Sequence, residues 1–233
     1  MSQSRTKLLV SGCGITYTGQ PARTWATILK LAGIDVIDVS GPAVSNQWIV
    51  NRAFMKLQQD PEIKHAIIQL TALGKLDVEV DLVRELALVR SDSTRNFVVD
   101  GVWPSSTSIE HPAKSAWREM LFSPRLEQQD LEVKLTLLQE WCTQRDIQML
   151  VVQGYDMHWH NHDEMNSIID NIEWNVMSDY QQTKWYQLDS EKDVPVTEYQ
   201  FELAIRLTQR ILPSYTDKLQ KIYQQYLTCR RVD

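Results

Sequence analysis

Short, mostly apolar runs ending in small or hydroxylated residues recur along this chain, and amphipathic helical segments alternate with them. Mostly apolar strands must be covered on both faces, which restricts the folds open to the sequence. Lys7 to Val10 is the first run, closing on Ser11-Gly12-Cys13-Gly14, a turn that glycine permits. Trp25, Ile28, Leu29 and Ala32 then recur at helical spacing, with Gly33 placed as a C-cap, before a second strand from Asp35 to Val39. Ser45 is placed to cap a helix carrying Trp48, Ile49, Ala53 and Leu57 to the stop at Asp60-Pro61, and Ala66 to Leu70 reads as a third strand. A charged helical pattern through Leu82, Leu86 and Leu88 leads to a fourth strand, Asn96 to Trp103. Leu131 to Trp141 then forms a helix before the fifth strand, Gln148 to Gln153. Two helical patterns, Phe201 to Ile211 and Tyr215 to Leu227, close the chain around Pro213-Ser214.

This alternation predicts the α/β class: a three-layer α/β/α arrangement around a doubly wound, mostly parallel five-stranded sheet. With no internal repeat or flexible linker, residues 1–233 are expected to form a single domain. Lid-like insertions are expected near 104–125 and 155–195, where the connections exceed the usual length. A net charge of −6 argues against a general nucleic-acid binder, which needs a basic face to displace counterions. The apolar runs are too short for a signal-peptide core or a membrane span. Cys13, Cys142 and Cys229 form no Cys-x-x-Cys pair, and three thiols fit a reducing cytoplasm.

Ligands of open parallel sheets bind beyond the carboxyl ends of the strands, which directs attention to the loops there. The first holds Gly12-Cys13-Gly14-Ile15-Thr16, the second Gly41-Pro42-Ala43-Val44-Ser45-Asn46, and the third begins at Thr71. Asp193-Val194-Pro195 precedes the penultimate helix. Together and in this order, these blocks resemble the SGNH (GDSL-type) hydrolase superfamily, above all the variants whose first motif reads Gly-Cys-Ser-x-Thr. The resemblance spans nearly the whole chain and implies a flavodoxin-like sheet with a crevice lined by Gly12, Gly14, Thr16, Gly41, Ala43, Asn46 and Thr71.

Two departures bear on activity. The family's nucleophilic serine falls on Gly14 and its activating histidine on Val194. A hydroxyl needs a base within hydrogen-bond reach to attack at neutral pH, and glycine and valine supply neither partner. The oxyanion-hole glycine falls on Ala43, or on Gly41 in a shifted alignment, and either keeps a backbone N–H. Asp193 remains of the final dyad, although an aspartate before a proline serves equally as a turn or cap residue. Cys13 is a candidate nucleophile because a helix N-terminus favours a thiolate, against the plainer account of a small buried residue filling space.

His158, His160 and His162 share one face of an extended backbone and form a candidate divalent-metal site; a solvated loop is the alternative, and no other cofactor is expected. Trp103, Trp159, Trp174 and Trp185 could stack on a sugar or nucleobase, or anchor the long loops. For Ser45 and Asn46, the choice lies between helix capping and ligand contact. The leading expectation is an SGNH-like protein that has lost serine-hydrolase chemistry and acts as a binding or structural component. Its ligand would be a small molecule or carbohydrate, with a protein partner or homo-oligomer also open. The alternative is an active esterase or acyl/glycan-ester hydrolase working through Cys13 or the histidine cluster.

Overall fold

A computed structural model describes residues 6–13, 16, 24–41, 44–71, 73, 76–78, 97–99, 123–154, 165, 167–170, 172, 188–189, 194–195 and 197–230. Along the chain these form β1 (Lys7–Ser11), α1 (Trp25–Leu31), β2 (Asp35–Asp38), α2 (Asn46–Gln59) and β3 (His65–Leu70). There follow β4 (Leu76–Val78), β5 (Phe97–Val99), α3 (Pro124–Thr143), β6 (Gln148–Gln153), β7 (Ile169–Asp170), β8 (Leu188–Asp189) and β9 (Val194–Pro195). The described chain closes with α4 (Thr197–Ile211), a 3-10 turn (Pro213–Tyr215) and α5 (Thr216–Arg230).

Five strands make one sheet in the order β2-β1-β3-β6-β7, every neighbouring pair parallel. The apolar strands explain the layers on either side. Leu8, Val10, Ile67 and Val152 face a core shared with α1, α4 and α5, while Leu9, Ala66, Ile68 and Val151 face a core shared with α2 and α3. Successive residues of one strand thus enter opposite cores, so a polar residue at any of these positions would lose solvation on whichever face it met. The α/β class and the five-stranded parallel sheet agree with the sequence pattern.

Local signals are honoured at most element ends. Gly33 takes a left-handed φ of 87° directly after the Ala32 C-cap, and its N–H reaches the Lys30 carbonyl at 2.9 Å. Ser45 caps α2 by accepting a hydrogen bond from the Trp48 N–H at 3.1 Å. At the start of α3, Ser123 is the N-cap and Pro124 occupies the first turn, where its missing N–H costs no hydrogen bond.

One expected strand lies elsewhere. Phe97–Val99, from the run assigned as the fourth sheet strand, pairs antiparallel with Leu76–Val78 in a separate two-stranded sheet. The fourth position in the main sheet belongs to β6 and the fifth to β7. An apolar run reports burial but not its pairing partner, which a hairpin supplies as well as a parallel sheet does. Val194–Pro195 is likewise extended and pairs antiparallel with Leu188–Asp189. Of the expected lids, Pro124 and Arg125 belong to α3, whereas 104–122 and most of 155–195 lie outside the described residues, as does the helical pattern through Leu82 to Leu88. No helix among the described residues is long and apolar enough to cross a membrane.

His65 opens β3 between Leu8 and Gln148, half-buried, and its Nδ1 has no hydrogen-bond partner. Burial lowers its pKa below the ordinary 6.5. The unfolded chain therefore takes up a proton at a higher pH than the folded chain does, so stability is full above about pH 6.5 and declines as pH falls through that value. Chemical-denaturation midpoints measured from pH 7.5 down to 5 should fall more steeply in the native protein than in His65→Gln.

Candidate active-site crevice

The chain moves from β1 to β2 on one side and then returns to place β3 on the other side of β1. α1 and α2 consequently leave on opposite faces, and their divergence opens a crevice above the carboxyl ends of β1 and β3. Ser11, Ser40, Thr71 and Gln153 follow or end strands of one polarity and lie along this edge, as the sequence pattern requires. Ser11 anchors β1 to α2 by donating its hydroxyl to the Ile49 carbonyl at 2.8 Å.

Three ties hold the crevice walls. The Gly41 N–H donates to the Gly12 carbonyl at 3.1 Å, joining the loops after β1 and β2. Asn46, the first residue of α2, bridges to the loop after β3: its Nδ2 donates to the Thr71 carbonyl at 2.9 Å, and its Oδ1 accepts the Thr71 N–H at 2.7 Å. The third tie runs from the Thr16 hydroxyl to Gln69 Oε1, fully buried on both sides. Gly12 makes that last contact feasible, because a Cβ there would stand 2.9 Å from the Cβ atoms of both Thr16 and Gln69. The Thr16 N–H turns back to the Cys13 carbonyl at 2.9 Å, and its own carbonyl accepts from the Thr24 hydroxyl at 3.2 Å.

Among the described residues, the polar side chains between β1 and β3 are thus hydroxyls and carboxamides, neutral at every accessible pH. Several buried polar atoms on this side of the molecule lack hydrogen-bond partners, namely Thr71 Oγ1, Ser40 Oγ and Gln200 Nε2. Gln200 stands at the start of α4 and accepts the Trp25 N–H at 2.8 Å, holding the N-terminus of α1. Buried polar atoms without partners are uncommon in native proteins, and ligand contact is one of the reasons for them.

Of the residues singled out from sequence, Gly12, Thr16, Gly41, Asn46 and Thr71 come together here. Asn46 meets the Thr71 backbone, so its carboxamide braces the wall. Cys13 is 1% exposed and packs with Leu9, Val44 and Ile49 in the core beneath α2, as a small buried residue does. Cys142, at the far end of α3, has its pKa pushed up to about 11 by burial, which suppresses the reactive thiolate. Gly14, Ala43, Asp193, His158, His160 and His162 lie outside the described residues, as do Trp103, Trp159, Trp174 and Trp185. Among the described residues, no group of three His, Cys, Asp or Glu side chains could hold a metal.

Sequence reasoning missed Gln69 and Gln200. Gln69 does carry a signal, being the one polar residue between Ala66 and Leu70, where a buried carboxamide must find partners. Gln200 carries none, because its partner Trp25 is 175 positions away.

No family model matches the chain, and no curated protein does. Solved structures do. A chain from Desulfitobacterium hafniense DCB-2, described as a lipolytic protein of the G-D-S-L family, is similar at a TM-score of 0.43 and 12% identity, covering 92% of this chain and 99% of its own. The psychrotrophic esterase EstA from Pseudoalteromonas sp., inhibited by monoethylphosphonate, is similar at 0.45 and 11%, covering 96% and 99%. The fold assignment itself rests on the sheet order and the two covered faces.

The ties and the unpaired atoms give opposite expectations for neighbouring side chains. Asn46→Ala leaves the buried N–H and carbonyl of Thr71 without partners and should lower unfolding stability by roughly 2–4 kcal/mol in urea titrations. Thr71→Val removes a buried hydroxyl that bonds to nothing, so stability of the ligand-free protein should hold or rise by about 1 kcal/mol.

Proposed function

We propose that this chain is an SGNH-hydrolase-like protein that has given up serine-hydrolase chemistry and uses the crevice between β1 and β3 to bind a small neutral molecule rich in hydroxyl or amide groups, such as a carbohydrate. The observation that carries this reading is the set of buried polar atoms left without partners along the crevice, Thr71 Oγ1, Ser40 Oγ and Gln200 Nε2, held in place by walls that Thr16 with Gln69 and Asn46 with the Thr71 backbone brace. Such groups discriminate ligands by hydrogen-bond geometry, since a partner lacking the matching group would leave them unpaired. Support comes also from the motif resemblance, which sets Gly14 where the nucleophile stands and Val194 where its base stands. The buried position of Cys13 counts against a substitute nucleophile in the same loop.

The corresponding assay is direct. Purified protein given short-chain aryl esters should release phenolate no faster than buffer does, because no activated hydroxyl is available. Robust turnover that disappears in Cys13→Ala would overturn the reading in favour of an esterase with an altered centre. In a thermal-shift panel of neutral saccharides, at least one should raise the melting temperature, and Thr71→Val should abolish that rise.

A further inference from the structure

α3 has two apolar faces where a helix of the outer layer needs one. Its inner face, with Leu131, Leu135, Leu138 and Cys142, is buried against the sheet. On the opposite side, Leu126, Val133 and Leu137 recur at i, i+7 and i+11 and are 65%, 59% and 60% exposed. The neighbouring helix α2 adds Met55, 49% exposed. Among the described residues, only one other large apolar side chain is as exposed, Leu31 on α1. The outward apolar surface is therefore concentrated on the α2/α3 layer, away from the crevice.

From this we infer that the α2/α3 layer is an interface between two copies of this chain, related by a two-fold axis that sets their α3 helices antiparallel. The stripe is self-complementary in that arrangement. An axis crossing α3 near residue 132 lays Leu126 of each copy beside Leu137 of the other, with the two Val133 side chains between them. The same axis brings the flanking charges into register. Asp130 and Lys134 lie along one margin of the stripe, already joined within the helix at 2.6 Å. Antiparallel reversal sets Lys134 of each copy against Asp130 of the other, so opposite charges meet twice. An isologous contact uses one patch on both subunits and closes at two, which suits the one such patch found among the described residues.

Size predicts the strength. A 20-residue helix spans about 30 Å, and two adjacent helices offer a face about 20 Å wide, or roughly 600 Å² per copy. Stable interfaces bury about 800 Å² per partner, so the association should depend on concentration.

Sedimentation velocity over a concentration series tests the interface. The native protein should move from monomer toward dimer as concentration rises, and Leu137→Glu, at an exposed position that leaves the core intact, should weaken association at least tenfold. Circular dichroism should show the same helix content in native and variant proteins. Lys134→Asp alone should weaken the dimer, and adding Asp130→Lys should restore it, because the exchanged charges meet in the same positions. A native protein monomeric throughout the series would overturn the proposal. So would a dimer that withstands both Leu137→Glu and Lys134→Asp.

Discussion

Because β1, β3 and β6 are covered on both faces, a polar side chain within them has two outcomes: it lies at a strand end, where water or a partner can reach it, or it stays desolvated at a cost of several kcal/mol. Ser11 and Gln69 take the first course. Ser11 holds α2 down through the Ile49 carbonyl, and Gln69 receives the Thr16 hydroxyl that folds the first loop back over β3. Double-sided burial therefore keeps the strand interiors apolar and leaves polar residues to the strand ends, Lys7, His65 and Gln148 at the amino edge and Ser11, Gln69 and Gln153 at the carboxyl edge. The crevice lies over the second set.

The same constraint decides which parts of the fold are legible in sequence. β1, β3 and β6 are mostly apolar runs of strand length, and the caps at Gly33 and Ser45 have local causes that a short window contains. Phe97–Val99 has the same composition, yet it pairs with Leu76–Val78 outside the main sheet, since hydrophobicity specifies burial and leaves the partner open. β7, with two residues, is too short to show any period. In the crevice, Gly12, Thr16 and Thr71 were readable as loop residues at strand ends. The bracing role of Asn46 was not, because its partner lies 25 positions away and is backbone, which every residue has. The histidine cluster and Asp193 lie outside the described residues, so the metal and dyad expectations remain those of the sequence.

Electrostatics separates the crevice from the opposite edge of the sheet. There Lys7 meets Asp60 and Glu62, and its pKa is raised first by the Glu62 hydrogen bond and then by that of Asp60. Burial pushes the Asp60 carboxyl up, and hydrogen bonds from Lys7 and the Glu62 N–H outweigh that to hold it below the usual range. These pairs lie at the partly exposed surface, where water screens them, and contribute little to stability. Hydrolysis through an activated serine requires a base poised near neutral pH beside the nucleophile, whereas Thr16, Gln69, Asn46 and Thr71 have no proton to exchange in that range. What the four can do is hydrogen-bond, and the Asn46 brace keeps the Thr71 hydroxyl in place without using it.

An alkyl fluorophosphonate is the sharpest probe of that distinction, because it phosphonylates only a hydroxyl made nucleophilic by its surroundings. Intact-mass spectrometry of the folded protein after such treatment should return the unmodified mass. A stoichiometric adduct, lost on prior unfolding and mapped to a side chain at the carboxyl edge of the sheet, would contradict the claim that this crevice binds without hydrolysing.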